Sequence, residues 1–215
     1  MIDRTGEGPY RAAFEQALEV FGRRNPAEMA RRSGVEYDPD HSVMRLSSLQ
    51  QPMAVTHPGG EVTFRSTGKS PVWQWQLVTL NYLGRADGIP LSGKPVAFRD
   101  LEGGWVFQEP FARQTLSRLA QWVLSENLPA LRRAFRTLGG TLIDIGDVGA
   151  KLPFFPRFPV TVVCWSGEDE FPSSANVLFD RSANHYLHTE DASVVGSLVV
   201  NFVNHLMDEA SGDTI

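Results

Sequence analysis

One cysteine, Cys164, stands among 215 residues. A single thiol excludes an internal disulfide and any site built on four thiolates, so this chain holds no iron–sulfur cluster by itself. Basic residues are also scarce: 20 Lys and Arg stand against 25 Asp and Glu, a net charge of -5. That balance argues against nucleic acid as the main partner. Long apolar runs are missing, and none approaches the roughly 18 residues that span a bilayer. The N-terminal MIDRTGEGPYR has no apolar core of a secretory leader, so the expectation is a soluble cytoplasmic protein without a membrane partner. Gly93-Lys94-Pro95 lacks the hydroxyl and the following helix of a phosphate loop. A Gly-x-Ser-x-Gly nucleophile elbow is absent too.

What is present reads as one α+β domain over residues 1–215, with an N-terminal helical segment (1–35) and a core (40–215). A chain of this length buries roughly 70% of its unfolded surface without a metal or disulfide staple. Phe14, Ala17, Leu18 and Phe21 recur at helical spacing, predicting a helix over 9–22. Asn25, Pro26 and Glu28 form a capping box for a second helix, and Gly34 ends it. Residues 43–46, 52–56 and 61–65 read as strands, with a turn at Pro58-Gly59-Gly60. Ser70-Pro71 reads as the cap and first residue of a helix that is apolar nearly all round, and therefore central. Asp87-Gly88-Ile89-Pro90-Leu91-Ser92-Gly93 is a loop by composition, followed by a short strand from Pro95 to Phe98. Helices are expected over 110–125, from Asn127 to Leu138, and over 190–209. Arg132, Arg133 and Arg136 face outward as an anion-binding or merely solvated row. Residues 141–158 read as irregular. The expected fold is α+β with a mixed or antiparallel central sheet and packed helices.

The segment from 152 to 192 concentrates the chemistry. Val160 to Trp165 is β-branched and nearly uncharged, the pattern of a strand buried on both faces, and Cys164 within it reads as an inert thiol. Glu168, Asp169 and Glu170 repel one another and belong on a loop. Ala175 to Phe179 is a second strand, closed by Asp180. The acidic loop and Asp180 then lie either on the same sheet edge or on opposite ones. His185, Tyr186 and His188 follow, and Thr189 reads as an N-cap with Glu190 and Asp191 in the first helical turn.

Two stretches resemble a known family: NYLGRADGIPLSGKPVAFRDLEGG at 81–104 and FPRFPVTVVCWSGEDEFPSSANVLFDRSANHYLHTED at 155–191. Their distinctive parts are PLSG, the W-x-G-acidic-EFP segment, LFD and Y-L-x-T-E-D. The pattern resembles domain of unknown function 3786, a family of anaerobic bacteria and archaea. The resemblance implies a soluble protein of anaerobic metabolism. Some relatives carry a cysteine-rich iron–sulfur module that this chain lacks. No reaction is carried over with the family.

The functional expectation is an accessory protein that binds a small-molecule ligand or a partner protein. Gly93, Asp169, Glu170, Asp180, His185 and Tyr186 are the candidate binding residues, gathered from the 87–93 loop, the acidic loop and the 180–191 segment. The candidate ligands are a tetrapyrrole or corrinoid with a histidine as axial ligand. A divalent metal at His185, His188, Asp180 and Asp191 is the second possibility, since histidines three apart can meet in a turn. The alternative is an enzyme, either metal-dependent or using carboxylates as acid and base, with Glu170 beside the apolar Phe171-Pro172 as the candidate catalytic group. The competing structural view is that Glu190 and Asp191 answer a helix dipole while the histidines are surface groups. Oligomeric state is left open.

Overall fold

The computed structural model describes residues 9–167 and 172–212. Two antiparallel sheets and a set of helices share one apolar core, an α+β arrangement. The first sheet is a meander in chain order: β1 (Glu36–Asp38), β2 (Val43–Ser48), β3 (Gln51–Thr56) and β4 (Val62–Phe64). Met44, Leu46 and Ser48 of β2 are buried while Ser47 is exposed, the alternation of a strand with one face on the core. The second sheet runs β5-β9-β8-β7-β6, from β5 (Pro95–Ala97), β6 (Thr141–Ile143), β7 (Val148–Phe155), β8 (Phe158–Trp165) and β9 (Ser174–Asp180). Every strand pair is antiparallel. Of the expected mixed or antiparallel arrangements, the described residues form the antiparallel one, as two sheets.

The helices α1 (Pro9–Arg23) and α2 (Pro26–Ser33) lie against α3 (Trp73–Arg85), which also packs on α7 (Thr189–Gly212). Asn25 caps α2 by accepting the Glu28 N–H at 3.0 Å, and Gly34 closes it at φ 75°, as the sequence predicts. The α3 helix is central: Trp75 through Leu80 are all buried. Its anchor is Trp75, whose ring meets Phe64, Phe154 and Phe202 and whose Nε1–H donates to Ser48 Oγ at 3.0 Å. One residue thereby joins the first sheet, β7 and α7. Strand β8 is sealed as expected, with Val160, Val162, Val163 and Cys164 inaccessible and Trp165 emerging at its end. Burial pushes the Cys164 thiol up to about 12, which makes it inert.

Local signals misplaced several elements. Residues 141–158, expected to be irregular, form β6, β7 and the two-residue turn into β8, where Phe155 pairs with Phe158. Pro153 falls where the β7 register shifts between Leu152 and Phe155, and Pro156 lies in the turn. A strand tolerates proline at such an irregularity. The helix expected from residue 110 begins at Gly104 as α4 (Gly104–Phe111), passes through a wide π turn at Ala112–Leu116 and ends as α5 (Ser117–Ala120), with Pro110 inside it. Residues Leu128–Thr137 form α6. Helix α3 starts two residues after Pro71, whose carbonyl instead accepts from Gln76 Nε2 at 2.7 Å. Thr189 is not a cap: Ala192 N–H bonds the His188 carbonyl, and the Thr189 hydroxyl donates to Glu102 O at 2.6 Å.

Removing the three-way anchor by Trp75→Ala should lower unfolding free energy by about 3–5 kcal/mol in urea titrations. Trp105→Ala, at a side chain 75% exposed, should change it by less than about 0.5 kcal/mol.

Candidate functional site

The 87–93 loop and the 180–191 segment meet at one end of the second sheet. Asp180 closes β9 opposite Pro95. Its carboxylate accepts five hydrogen bonds: from Ser92 N–H at 2.9 Å, Ser92 Oγ at 2.8 Å, Gly93 N–H at 2.8 Å, Ser182 N–H at 2.9 Å and Ser182 Oγ at 2.7 Å. Gly93 sits at φ 70°, a conformation that glycine adopts without strain. Burial alone would raise the Asp180 pKa, but the donors from Ser182 and Ser92 overcome it and hold the carboxyl at about 2.

The loop is pinned elsewhere along its length. Arg157, in the β7–β8 turn, donates Nη1–H to Gly88 O at 2.9 Å. The buried Tyr186 donates its hydroxyl to Ile89 O. Asp87 accepts the Ile89 N–H at 3.0 Å through one oxygen and meets His185 Nδ1 at 2.6 Å through the other. Burial acts to raise the Asp87 pKa, while the Ile89 N–H and His185 lower it further than burial lifts it. Next to this pair, Arg85 contacts His188 Nε2 through Nη1 at 2.8 Å and donates from Nε and Nη2 to Asn184 O, each at 3.4 Å. The side chain of Asn184 accepts the Glu102 N–H at 3.0 Å and donates to Thr189 Oγ1 at 3.1 Å. Asp191 is 8% exposed and accepts Asn81 Nδ2–H at 3.0 Å. Burial dominates there and pushes its pKa up.

These contacts redistribute the candidate residues. Asp180 and Tyr186 bond the protein's own loop and support it. Gly93 has its N–H committed to Asp180, with open space where a side chain would begin. His185 remains half exposed, its Nδ1 engaged by Asp87. The metal set is not assembled: Asp180 is filled by five donors, His188 faces Arg85, and Asp191 faces Asn81. No group of three or more His, Cys, Asp and Glu residues among the described residues is placed to hold a metal ion. Asp169 and Glu170 lie outside the described residues. The strand ends that flank them, Trp165 and Ser174, pair at the end of the β8–β9 ladder opposite Asp180. Ser174 and Asp180 are six steps apart along β9, about 20 Å at the usual rise. The described chain thus leaves β8 and re-enters β9 at the end of the ladder away from Asp180.

Two shallow surface hollows border α2 and the first sheet, and Arg32 of the first lies against Gly88 of the loop. One of about 240 Å³ is lined by Arg24, Asn25, Glu28, Met29 and Arg32. The other, of about 330 Å³, lies between Val35, Arg45, Arg65 and Pro156. Reading the sequence alone overlooked Arg85, Asp87, Ser92, Arg157, Ser182 and Asn184. The Asp180-x-Ser182 spacing was a usable signal, since an aspartate commonly accepts from the backbone two residues on.

A family model described as Domain of unknown function (DUF3786) matches residues 25–202. The chain belongs to that family. No curated protein and no solved structure matches it. No helix among the described residues is long and apolar enough to cross a membrane. In this family member the matched span contains both halves of the Asp180 junction and omits α1.

The sign of the Asp180 contribution follows from its depressed pKa. Its stabilisation is present above the ordinary value of 3.8 and is lost as pH falls through about 2. Asp180→Asn should cost about 1–2 kcal/mol at pH 7, partial screening by water included. The difference from wild type should shrink toward zero between pH 4 and 2 in urea titrations. Asp191→Asn should cost less at pH 7, because it removes a charge that burial disfavours.

Proposed function

We propose that this chain is a binding protein, an accessory component of anaerobic metabolism, and that it engages its partner or ligand through the outer face of the 87–93 loop and the adjoining His185 turn. The supporting observation is a loop that is fixed from within yet apolar outside. Arg157, Tyr186 and Asp180 hold its backbone, while Ile89 and Leu91 remain 44% and 37% exposed. Exposed aliphatic side chains on a preordered loop bind with little further loss of conformational freedom. The polar groups of the junction are turned inward, which favours recognition over turnover.

For a small ligand, the tetrapyrrole or corrinoid class has one specific support. His185 gives Nδ1 to Asp87, the arrangement that leaves Nε2 as an outward lone pair able to ligate a metal. Ile89 and Leu91 supply an apolar ledge on the same loop. The same 2.6 Å contact favours a second reading, in which His185 is a general base oriented by Asp87.

Affinity capture from the protein's own cells, with wild type and Leu91→Ser as paired baits, tests the binding surface. At least one protein retained by wild type should be lost from the variant and kept by a Trp165→Ser control at the other end of the sheet. Equal retention by all three removes this surface from the function. Absorption titration with haemin and with hydroxocobalamin tests the macrocycle: a spectral shift abolished by His185→Ala supports it, and unchanged spectra confine the reading to a protein partner.

A further inference from the structure

Lys94 and Arg181 are backbone neighbours, since the Arg181 N–H donates to Lys94 O at 2.9 Å. They extend the β5–β9 ladder one step beyond Pro95 and Asp180. Both are exposed, and neither forms an ion pair among the described residues. Like charges placed across a strand pair repel one another. The nearby Asp180 charge is directed at the N–H and O–H groups of Ser92, Gly93 and Ser182. Two cations without an ion partner among the described residues therefore stand at the sheet end of the loop that carries the exposed Ile89 and Leu91, on a chain whose net charge is -5.

Resting on the reading of this face as the binding surface, we infer that its partner presents a linear peptide segment in which carboxylates flank aliphatic side chains. The carboxylates meet Lys94 and Arg181, and the aliphatic groups pack on Ile89 and Leu91. Exposed side chains strung along one loop suit an extended segment better than an enclosed small anion. Strand addition is not the mode. Pro95 has no N–H, and the Ala97 N–H is taken by Asp100 Oδ2 at 3.3 Å, so the outer edge of β5 is blunted. Recognition falls to side chains, with the charge pair setting specificity and the aliphatic pair the contact area.

The test uses the whole chain and a displayed library of random linear peptides, selected at low salt. Enriched sequences should combine Asp or Glu with aliphatic residues. A synthetic peptide of that pattern should bind about tenfold more weakly to Lys94→Glu, to Arg181→Glu and to Leu91→Asp. It should weaken as salt rises and bind Trp105→Ser as it binds wild type. Enrichment of basic or wholly apolar peptides overturns the inference, as does acidic-peptide binding indifferent to both charge reversals. Inorganic phosphate that binds as tightly as the peptide, regardless of Leu91→Asp, makes this a small-anion site and overturns it equally. If Leu91→Ser loses its cellular partner while no acidic peptide is enriched, the binding surface stands and only the peptide class falls.

Discussion

One carboxylate holds the end of this molecule together. Asp180 is the last residue of β9, and its two oxygens take up the N–H and hydroxyl groups of Ser92 and Ser182 and the N–H of Gly93. A loop with two glycines and a proline would otherwise sample many conformations. Here its far half is tied to the sheet by charge-assisted hydrogen bonds, which are shorter and stronger than neutral ones. The near half is tied by Arg157 from the β7–β8 turn and by Tyr186 from the turn after β9. Strand end, hairpin turn and loop become a single rigid piece. The two sequence stretches that carry the family pattern, PLSG and LFD, are the two sides of this one junction.

That arrangement limits the chemistry the junction can do. With five donors on it, four of them on Oδ1, the Asp180 carboxylate is a poor base, and Oδ2 accepts the Gly93 N–H alone. The tyrosine is buried and committed to Ile89. What faces outward is shape and residual charge: two aliphatic side chains, two cations and one imidazole. The junction's polar groups thus serve to present a surface, and the imidazole of His185 is the group that retains reactive potential there.

Short-range signals in the sequence were readable and long-range ones were not. The Asn25–Pro26–Glu28 cap, the apolar girth of α3 and the sealed run at 160–165 each depend on residues within a turn or two, and the structure matches them. Strand β7 reads as irregular from its own residues, and Pro153 falls where its register shifts, a feature that exists only against the neighbouring strand. Thr189 looked like a cap because its sequence neighbours are acidic; its hydroxyl in fact answers a carbonyl 87 residues away. For the site, meeting of the 87–93 loop with the 180–191 segment was foreseen, but the location of the acidic loop depended on the β8–β9 register. Antiparallel pairing puts Trp165 and Ser174 at the end of the ladder away from Asp180. Composition carries no information about that choice.

Asp180 and Asp191 show why burial alone does not decide charge. They are the same residue type, 7% and 8% exposed, on one segment. Asp180 receives five donors and its pKa falls; Asp191 receives the Asn81 amide and its pKa rises. Desolvation pushes both upward, so the number and kind of donors reverse the outcome in one and not in the other. The ionised form is stabilised where the backbone must be fixed, at the loop. It is disfavoured where a helix start merely packs against α3. The net negative charge of the chain therefore says little about this end of the sheet: the Asp180 carboxylate is taken up by the loop, while Lys94 and Arg181 are exposed.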